Sequence, residues 1–279
     1  MRTHFDTETD AAMPAVAGPW RRRPQQGEPT RLFGLALVNA GRAEMAEELV
    51  AMAQAGECAS VQFINAHCVN MAAVDADYRQ ALAQADMLLP DGSGMRLAAR
   101  LAGTAMGDNL NGTDLLPLLC RQAARRGQSI FFLGGKPGVA AAAARTMAAG
   151  TPGLRIAGAT HGYFSAAEEA ALIERINASG AAILLVGFGV PLQECWIARV
   201  RPRLNARIVL GVGGLFDYYS GAIARAPLPF RAAGCEWLWR LMLEPRRLFR
   251  RYVIGNPLFV ARALAHGWAA RTSPVRPAR

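Results

Sequence analysis

The sequence lacks the cysteine pattern and the apolar segments that would point to an exported or membrane-spanning protein. Its five cysteines are odd in number and include no CxxC pair; they are Cys58, Cys68, Cys120, Cys195 and Cys235. This usage fits reduced thiols in a cytosolic protein and argues against a disulfide framework or a structural zinc site. No uninterrupted apolar run reaches the roughly 20 residues of a membrane-spanning helix. The N-terminus has no apolar core like that of a signal peptide. We therefore expect a protein that is neither secreted nor integral to the membrane.

Several catalytic signatures are also missing. The first predicted strand is followed by residues 41–43, Gly-Arg-Ala, and not by a GxGxxG fingerprint, which argues against a nicotinamide-dependent oxidoreductase. Lys136 follows two glycines without the spacing of a P-loop, and no GxSxG string is present, so neither nucleotide hydrolysis nor a serine hydrolase is expected. His67 and His161 have no second ligand at metal-binding spacing, so no metal site is predicted.

What is present is an apolar and strongly basic chain. Hydrophobic residues make up 52% of its 279 residues and charged residues 19%, which suits one α/β domain, with or without a small appendage. The formal charge of +10 favours an anionic partner: nucleic acid, phospholipid or a phosphorylated small molecule. Charge alone does not choose among the three.

Short apolar runs alternate with amphipathic stretches from Arg31 onward. The predicted strands are 32–38, 61–64, 87–89, 129–133, 154–159, 182–186 and 207–210, and the predicted helices are 43–53, 71–85, 114–126, 139–149, 166–178 and 193–200. The alternation predicts an α/β fold, namely a Rossmann-like, mostly parallel sheet with helices on both faces and a basic helical C-terminal appendage.

Three segments are predicted along the chain: a mobile N-terminal extension at 1–29, a Rossmann-like core at 30–225, and a basic, aromatic appendage at 226–279. In the appendage, arginines alternate with aromatic residues such as Trp237 and Trp239 and face only two acids. Such a segment suits an anionic membrane surface, a nucleic acid whose bases stack on the rings, or a lid whose aromatic residues are core. We favour the membrane and expect no nucleic-acid partner, because no nucleic-acid motif is present.

Glycines follow three of the predicted strands. They are Gly134 and Gly135, then Gly187 and Gly189, and then Gly211, Gly213 and Gly214. In open parallel sheets ligands bind beyond the carboxyl ends of the strands, where glycine lets the backbone approach a phosphate or a sugar. Three glycine-rich ends at one edge of a sheet predict a nucleotide pocket.

Further strings of residues in a fixed order carry a family resemblance. They are Asn65-Ala66, Leu89-Pro90-Asp91-Gly92, Gly112-Thr113-Asp114, FLGGKPG at 132–138, GYF at 162–164, GFGVPLQE at 187–194, GVGGLFD at 211–217, RAP at 225–227, EWLWR at 236–240, EPRR at 244–247 and RRY at 250–252. Through them the sequence resembles the WecG/TagA/CpsF family of bacterial glycosyltransferases. The resemblance runs from about residue 31 to about residue 259.

The resemblance implies an inverting, metal-independent enzyme with a UDP-sugar as donor substrate and no cofactor. It implies transfer of a hexose or N-acetylhexosamine to a polyprenyl-diphosphate-linked sugar, in exopolysaccharide or cell-envelope glycan biosynthesis. One alternative uses UDP-N-acetylmannosamine or its uronic acid, for teichoic-acid or common-antigen lipid intermediates. An alternative of another class is a basic nucleic-acid-binding protein. The family implies a cytoplasmic enzyme, peripheral at the anionic inner face of the bacterial plasma membrane; homo-oligomerisation is left open.

Asp91 is the predicted general base. Inversion needs one group to take the proton of the acceptor hydroxyl, and Asp91 stands where the family has its catalytic Asp. Asn65 either orients sugar hydroxyls or caps the next helix. Phe63 stands two positions earlier, where the family usually has Thr, and this departure leaves the sugar identity open.

Cations are predicted to stabilise the leaving diphosphate, because no carboxylate cluster of the kind that holds magnesium is evident. The matching residues are Arg240, Arg247 and Arg250, whose guanidinium groups fit phosphate oxygens in a fork. Whether they hold the donor or the lipid diphosphate is left open. Gln193 resembles the glutamine of the family's Pro-x-Gln-Glu string and is predicted to contact the sugar or the acceptor.

The remaining predicted residues line the donor nucleotide. They are Gly134, Gly135, Tyr163, Gly187, Phe188, Gly211, Gly213 and Asp217. Tyr163 either stacks on the base or packs in the core, and Asp217 is predicted to bind ribose hydroxyls or a base edge. Lys136 is a further candidate for a phosphate contact.

Overall fold

A computed structural model describes residues 28–56 and 58–272 of the chain. The extension predicted at 1–29 lies outside these residues except for Glu28 and Pro29. The described residues form one antiparallel hairpin and one parallel sheet. The hairpin strands are β1 (Thr30–Leu32) and β2 (Leu35–Leu37). The sheet strands are β3 (Ala59–Ile64), β4 (Met87–Pro90), β5 (Ser129–Gly134), β6 (Arg155–Thr160), β7 (Ile183–Gly187) and β8 (Ile208–Gly211).

The six sheet strands lie in the order β4-β3-β8-β7-β5-β6 and are all parallel. Every residue of β3, β4, β5, β7 and β8 is buried, whereas the edge strand β6 is partly exposed. Strands buried on both faces read as continuous apolar runs, which is why the sequence located these strands well. The predicted α/β, Rossmann-like fold is confirmed.

Helices connect the strands and continue beyond the last one. They are α1 (Arg42–Ala55), α2 (Ala66–Val74), α3 (Ala76–Ala83), α4 (Ser93–Ala102), α5 (Gly112–Arg125), α6 (Val139–Gly150), α7 (Glu169–Ala178), α8 (Leu192–Val200), α9 (Leu215–Tyr219), α10 (Leu228–Ala232), α11 (Glu236–Leu243), α12 (Pro245–Phe249) and α13 (Gly255–Thr272). A 3₁₀ turn spans Arg201–Arg203, and a π-helical turn, Arg250–Ile254, joins α12 to α13.

The helices cover both faces of the sheet. Apolar side chains of α1, α5, α6 and α9 pack on one face, and those of α2, α3, α7 and α8 pack on the other. In α1 the buried residues Met45, Leu49 and Ala53 recur every four positions, which places one stripe of the helix against the sheet. The two layers of helices remove the sheet interior from water and leave its ends accessible.

The predicted first strand, 32–38, is wrong in its extent, because the chain reverses within it. Phe33 and Gly34 have φ angles of 53° and 74°, and the reversal pairs Leu32 with Leu35. Two consecutive left-handed residues make the two-residue turn that suits a β-hairpin. Phe33 adopts this conformation while its ring packs 5.7 Å from that of Phe259 and 4.9 Å from that of His266. Hydrophobic periodicity carries no sign of the turn.

The predicted helix at 71–85 is also wrong in its extent, since two helices occupy it. α2 begins at Ala66, five residues before the predicted start, and ends before Asp75. The Asp75 carboxylate caps α3 by accepting a hydrogen bond from the Tyr78 backbone N–H at 2.9 Å. A short polar side chain that can cap competes with helix continuation, and here the cap prevails. α4 was not predicted as a separate helix.

The end of the appendage is packed on the core. In α13, Phe259 and Ala263 are buried in the same apolar cluster as residues of α2 and α4. A Cβ atom on Gly267 would lie 2.5 Å from the carbonyl oxygen of Leu101, so α13 and α4 approach each other at backbone distance. The Asn70 side chain donates a 2.7 Å hydrogen bond to the Gly255 carbonyl. The boundary at 225/226 stays a prediction, and α13 contributes to the packing of the core.

Candidate active site

Candidate residues stand at the carboxyl ends of five of the six parallel strands. Asn65 follows β3, Asp91 follows β4, and glycines end β5, β7 and β8. Because the strands are parallel, these ends share one edge of the sheet. The chain leaves β3 for α2 on one face and leaves the neighbouring strand β8 for α9 on the other. Such a divergence opens a crevice of the kind in which α/β proteins bind ligands.

Asn65 and Asp91 form a hydrogen-bonded pair. Asn65 Nδ2 donates to Asp91 Oδ2 at 3.2 Å, and Asn65 Oδ1 accepts from the backbone N–H groups of His67 and Cys68 at 3.1 and 3.2 Å. Asn65 therefore caps α2 and holds the carboxylate at once. Capping is one of the two roles considered for it, and the orientation of sugar hydroxyls stays a prediction. The Asp91 backbone N–H also donates to the Ile64 carbonyl at 2.8 Å, which ties the two strand ends together.

The charge state of this pair is set by burial and by the appendage. Desolvation raises the pKa of Asp91 above its ordinary value, while the hydrogen bond from Asn65 and the charge of Arg251 oppose the rise. Desolvation, together with Arg251, lowers the pKa of the adjacent His67 to about 4. The His67 imidazole is therefore neutral at physiological pH.

The ends of β5, β7 and β8 approach each other so closely that only glycine fits. Gly134 has φ 142°, and a Cβ atom there would collide with the Gly187 carbonyl. A Cβ atom on Gly187 would lie 2.8 Å from the Gly213 carbonyl oxygen, and one on Gly211 would collide with the Gln62 side chain. The three glycine-rich ends thus form one continuous floor of backbone, which we call the glycine cradle.

Gln193 links two parts of this cradle. Its Oε1 accepts from the Gly213 N–H at 2.8 Å and from the Gly189 N–H at 3.3 Å, and its side chain is buried. The sequence predicted a contact of Gln193 with the sugar or the acceptor. In the structure its amide makes hydrogen bonds within the protein, to the loops after β7 and β8, and this geometry favours a positioning role. The predicted contact with the sugar or the acceptor stays a prediction.

Glu194 was missed as a candidate by the sequence analysis. Its Oε1 accepts from Gln193 Nε2 at 2.9 Å, and its Oε2 is buried without a hydrogen-bond partner in the described part of the chain. Burial raises its pKa to about 7. The acceptor on Glu194 fixes which end of the Gln193 amide faces the two glycine N–H groups. The Gln-Glu string is visible in the sequence, but the burial of both side chains is not.

The two aromatic candidates near β6 differ in their surroundings. Phe188 packs edge-on against Phe164 and Trp196, with ring centroids 5.7 and 5.2 Å away, so it belongs to an internal cluster. Tyr163, in contrast, is 65% exposed. The structure therefore leaves the Tyr163 ring available for stacking on a ligand and does not place it in the core.

Two of the three predicted arginines meet at one carboxylate. Arg240 Nη2 lies 3.0 Å from Glu244 Oε2, and Arg247 Nε donates to Glu244 Oε1 at 2.8 Å. The Arg240 guanidinium also stacks over the Tyr218 ring at 4.9 Å. Arg250 is exposed on the π-helical turn and makes no ion pair with any described residue. The structure thus brings Arg240 and Arg247 together and leaves Arg250 apart from their cluster.

Arg240 reaches the glycine cradle. A Cβ atom on Gly214 would lie 3.8 Å from Arg240 Nη2 and 3.3 Å from Asp217 Oδ2. Burial raises the pKa of Asp217, and the charges of Arg240, Arg247 and Lys136 oppose that rise. Lys136, the single lysine of the sequence, is exposed on the loop after β5. Cationic groups from the core and from the appendage therefore converge at the ends of β5 and β8.

Another string that carries the family resemblance, Gly112-Thr113-Asp114, has a structural role. The Asp114 carboxylate accepts from Arg225 Nη2 at 2.5 Å, from Arg42 Nη1 at 2.9 Å and from Asn111 Nδ2 at 2.9 Å. These contacts lower the pKa of Asp114 although partial burial opposes them. Asp114 therefore fastens the start of the appendage, through Arg225, to the N-terminus of α5.

Residues 28–56 and 58–272 contain no group of three or more His, Cys, Asp or Glu side chains that could hold a metal ion. A DxD string, Asp75-Ala76-Asp77, does occur, but Asp75 caps α3 at the end of α2 opposite Asn65. None of the described helices is both long enough and apolar enough to cross a membrane.

These observations define a glycine-lined crevice at the carboxyl ends of a parallel α/β sheet, with a carboxylate and arginines beside it. Comparison with known proteins identifies the class. The model of the family described as "Glycosyl transferase WecG/TagA/CpsF family" matches residues 30–273, so the chain belongs to that family of glycosyltransferases. It is similar to the N-acetylglucosaminyldiphosphoundecaprenol N-acetyl-beta-D-mannosaminyltransferase of Bacillus spizizenii. The two are 33% identical over 189 residues, which cover 68% of this chain and 72% of the relative.

Proposed function

We propose that this glycosyltransferase transfers N-acetylmannosamine, or a closely related sugar, from its UDP derivative to a polyprenyl-diphosphate-linked N-acetylglucosamine. The observation that carries the proposal is the Asn65–Asp91 pair beside the glycine cradle, because it combines a base with a nucleotide-type pocket on one sheet edge. The identity of the sugars rests on the similarity to the mannosaminyltransferase of Bacillus spizizenii. That similarity favours N-acetylmannosamine, the second sugar considered from the sequence, over an unspecified hexose.

The proposed reaction is a single displacement. Asp91 takes the proton of an acceptor hydroxyl, whose oxygen attacks the anomeric carbon of the donor. The new C–O bond forms as the bond from the anomeric carbon to the diphosphate breaks, and UDP leaves with the bonding electrons. The configuration inverts, so an α-linked donor gives a β-linked product. The raised pKa of Asp91 makes it a stronger base than an exposed aspartate.

The leaving diphosphate is proposed to meet Arg240 and Arg247, with Lys136 on the opposite loop. Arg240 is held by Glu244 and Tyr218 next to Gly214, so its guanidinium is placed before the substrate arrives. Charges that are already in position stabilise developing negative charge at little reorganisation cost. In this proposal the arginines take the place that a metal ion has in other glycosyltransferases.

The lipid part of the acceptor is proposed to lie along the exposed face of the appendage. Large apolar side chains are exposed there; they include Trp237, Leu238, Met242, Leu243, Phe249, Val253, Ile254, Leu258, Leu264 and Trp268. Arg246 and Arg250 are exposed on the same segment. Apolar residues interleaved with arginines suit an anionic bilayer surface, so we propose peripheral attachment through α11 to α13.

A UDP-release assay tests the proposal. Purified protein is given UDP-N-acetylmannosamine, UDP-N-acetylglucosamine, UDP-glucose or UDP-galactose, with EDTA throughout and with or without a short-chain polyprenyl-diphosphate-linked N-acetylglucosamine. We expect UDP release only with UDP-N-acetylmannosamine and only when the acceptor is present. Release with another donor would correct the sugar, and activity that EDTA abolishes would contradict the metal-free mechanism.

A further inference from the structure

A cleft of about 440 Å³ lies between the core and the start of the appendage. The core side is formed by Asn109, Asn111 and Asp114, and the appendage side includes Arg231, Ala232 and Glu236 from α10 and α11. None of the roles described above uses this cleft. Its position relative to Asp91 indicates what it holds.

The cleft adjoins the proposed base. Leu110 N–H donates to the Pro90 carbonyl at 2.9 Å, so the chain at Leu110 lies at the outer edge of β4, away from β3. Asn109 Oδ1 accepts from the Gly92 N–H at 2.7 Å, immediately after Asp91. One wall of the cleft is therefore fastened directly to the loop that carries Asp91.

The cleft wall at Leu110 is next to Asp91, whereas β3 separates Asp91 from the cradle strands β8, β7 and β5. The other end of this wall leads toward the cradle, since a Cβ atom on Gly112 would lie 3.4 Å from Leu215 of α9. An inverting displacement needs the attacking hydroxyl and the leaving group on opposite sides of the anomeric carbon. Asp91 must lie beside the attacking hydroxyl to take its proton, so the acceptor belongs next to Asp91, where the cleft wall is fastened.

Helix α11 gives the length scale. Glu236 lines the cleft and Arg240 reaches Gly214 of the cradle, and four residues of helix span about 6 Å. That length is comparable to one sugar ring. A donor sugar with its diphosphate at Arg240 would therefore present its anomeric carbon between the two regions.

The chemistry of the cleft suits a saccharide. Its lining combines amide, carboxylate and guanidinium groups with the apolar surfaces of Leu228 and Pro229, and a sugar presents both hydroxyl groups and apolar C–H faces. Arg231 Nε is buried and has no hydrogen-bond partner in the described part of the chain. We propose that this cleft binds the acceptor saccharide of the lipid-linked substrate. The proposal rests on the proposed transferase function and adds the acceptor subsite to it.

A cleft-filling substitution tests the subsite. Ala232 lines the cleft and is exposed on α10, whereas the next residue, Ala233, is also exposed and does not line the cleft. We expect Ala232→Trp to raise the KM for the lipid-linked acceptor at least tenfold and to leave the KM for the UDP-sugar within twofold of wild type. Ala233→Trp, the matched control, should change neither. Thermal unfolding checks that both variants fold. If Ala232→Trp does not fold, Ala232→Leu is the smaller substitution to use.

The outcomes separate the subsite from the function. A wild-type enzyme that transfers sugar, together with an Ala232→Trp variant that keeps the wild-type acceptor KM, overturns the subsite alone. A rise in the donor KM without a rise in the acceptor KM assigns the cleft to the donor and also overturns the acceptor subsite. If the wild type transfers no sugar from any UDP-sugar to the lipid-linked acceptor, the proposed function fails and the subsite fails with it.

Discussion

The two sides of the candidate site are built from different chemical groups. On the core side, the backbone segments of the glycine cradle lie in close contact with one another, and the buried Gln193–Glu194 pair connects them by hydrogen bonds. On the appendage side, Arg240 and Arg247 present charge on side chains that share one carboxylate, Glu244. The core side should therefore respond to changes of volume and hydrogen-bond polarity, and the appendage side to changes of charge. Asp91 is linked to both sides: Asn65 of the core donates a hydrogen bond to it, and the charge of Arg251 in the appendage opposes the rise of its pKa.

The largest effect is expected from Asp91→Asn. The amide cannot accept the hydroxyl proton, so kcat should fall by about 10²–10⁴. Burial penalises the charged form of Asp91, so stability contributed by its protonated form is lost as pH rises through its raised pKa. The neutral variant should therefore melt no lower than wild type at neutral pH. Initial rates and thermal unfolding measure the two effects.

Asp86→Asn is the matched control for this substitution. Asp86 stands at the other end of β4, where it accepts from the Ser60 N–H at 2.8 Å and pairs with Arg201 at 2.7 Å. It should lower the melting temperature and leave kcat near that of wild type. An Asp91→Asn enzyme with kcat within tenfold of wild type would mean that another group is the base.

On the core side, the polarity of the Gln193–Glu194 pair is expected to matter more than its charge. Glu194→Met removes the acceptor for Gln193 Nε2, so the donor KM should rise by about tenfold or more as the cradle loops loosen. Gln193→Glu alone places two carboxylates together and should be as damaging at neutral pH. The double exchange, Gln193→Glu with Glu194→Gln, restores acceptors toward Gly189 and Gly213 and a donor between the two side chains.

Steady-state kinetics with the donor varied provide the measurement for this pair. The double exchange should recover most of the donor KM that each single substitution loses. Recovery shows that the orientation of the Gln193 amide is what counts. A double variant as impaired as Gln193→Glu would instead indicate that Gln193 contacts the substrate directly, as the sequence predicted.

On the appendage side, Arg240→Ala is expected to weaken UDP binding by about 10- to 100-fold, the range for a lost hydrogen bond to a charged group. Arg246→Ala is the control, because Arg246 is exposed on the same segment and has no described ion pair. Calorimetric titration with UDP, at two salt concentrations, compares the variants. If Arg240→Ala and wild type bind UDP equally well, Arg240 does not bind the donor diphosphate, and the lipid diphosphate becomes its assigned ligand.

The buried Glu194 predicts a pH dependence that the exposed appendage should not share. Its pKa is raised from 4.5 to about 7, so stability from the protonated form is complete below about 4.5 and is lost as pH rises toward 7. Glu194→Gln should flatten the melting temperature across that window. Glu174→Gln on α7, where the carboxylate is exposed, serves as the control. A wild-type profile that is flat between pH 4.5 and 7 would contradict the inferred burial energetics.

The sequence predicts the sheet and the strand-end residues because both depend on local signals. Runs buried on both faces, such as β5 and β7, stand out as apolar, and the glycines and Asp91 follow them directly. Long-range partners leave no such signal. The stacking of Arg240 over Tyr218, the burial of Glu194 and the cleft beside Asn109 each depend on packing between distant segments. The turn at Phe33 was missed because a left-handed phenylalanine is rare.

The smallest effect is expected where the appendage meets solvent. Trp268 is 72% exposed on α13. Its replacement removes the free energy gained when the ring moves from water into the membrane interface, about 1–2 kcal/mol, or roughly tenfold in membrane partitioning. Trp268→Glu should therefore reduce cosedimentation with phosphatidylglycerol-containing vesicles while activity on a short-chain, water-soluble acceptor persists. Val74→Glu, at an equally exposed position at the end of α2, should not change vesicle binding. If both variants bind vesicles like wild type, the exposed apolar face of α13 is not the membrane contact, and attachment must depend on the arginines alone.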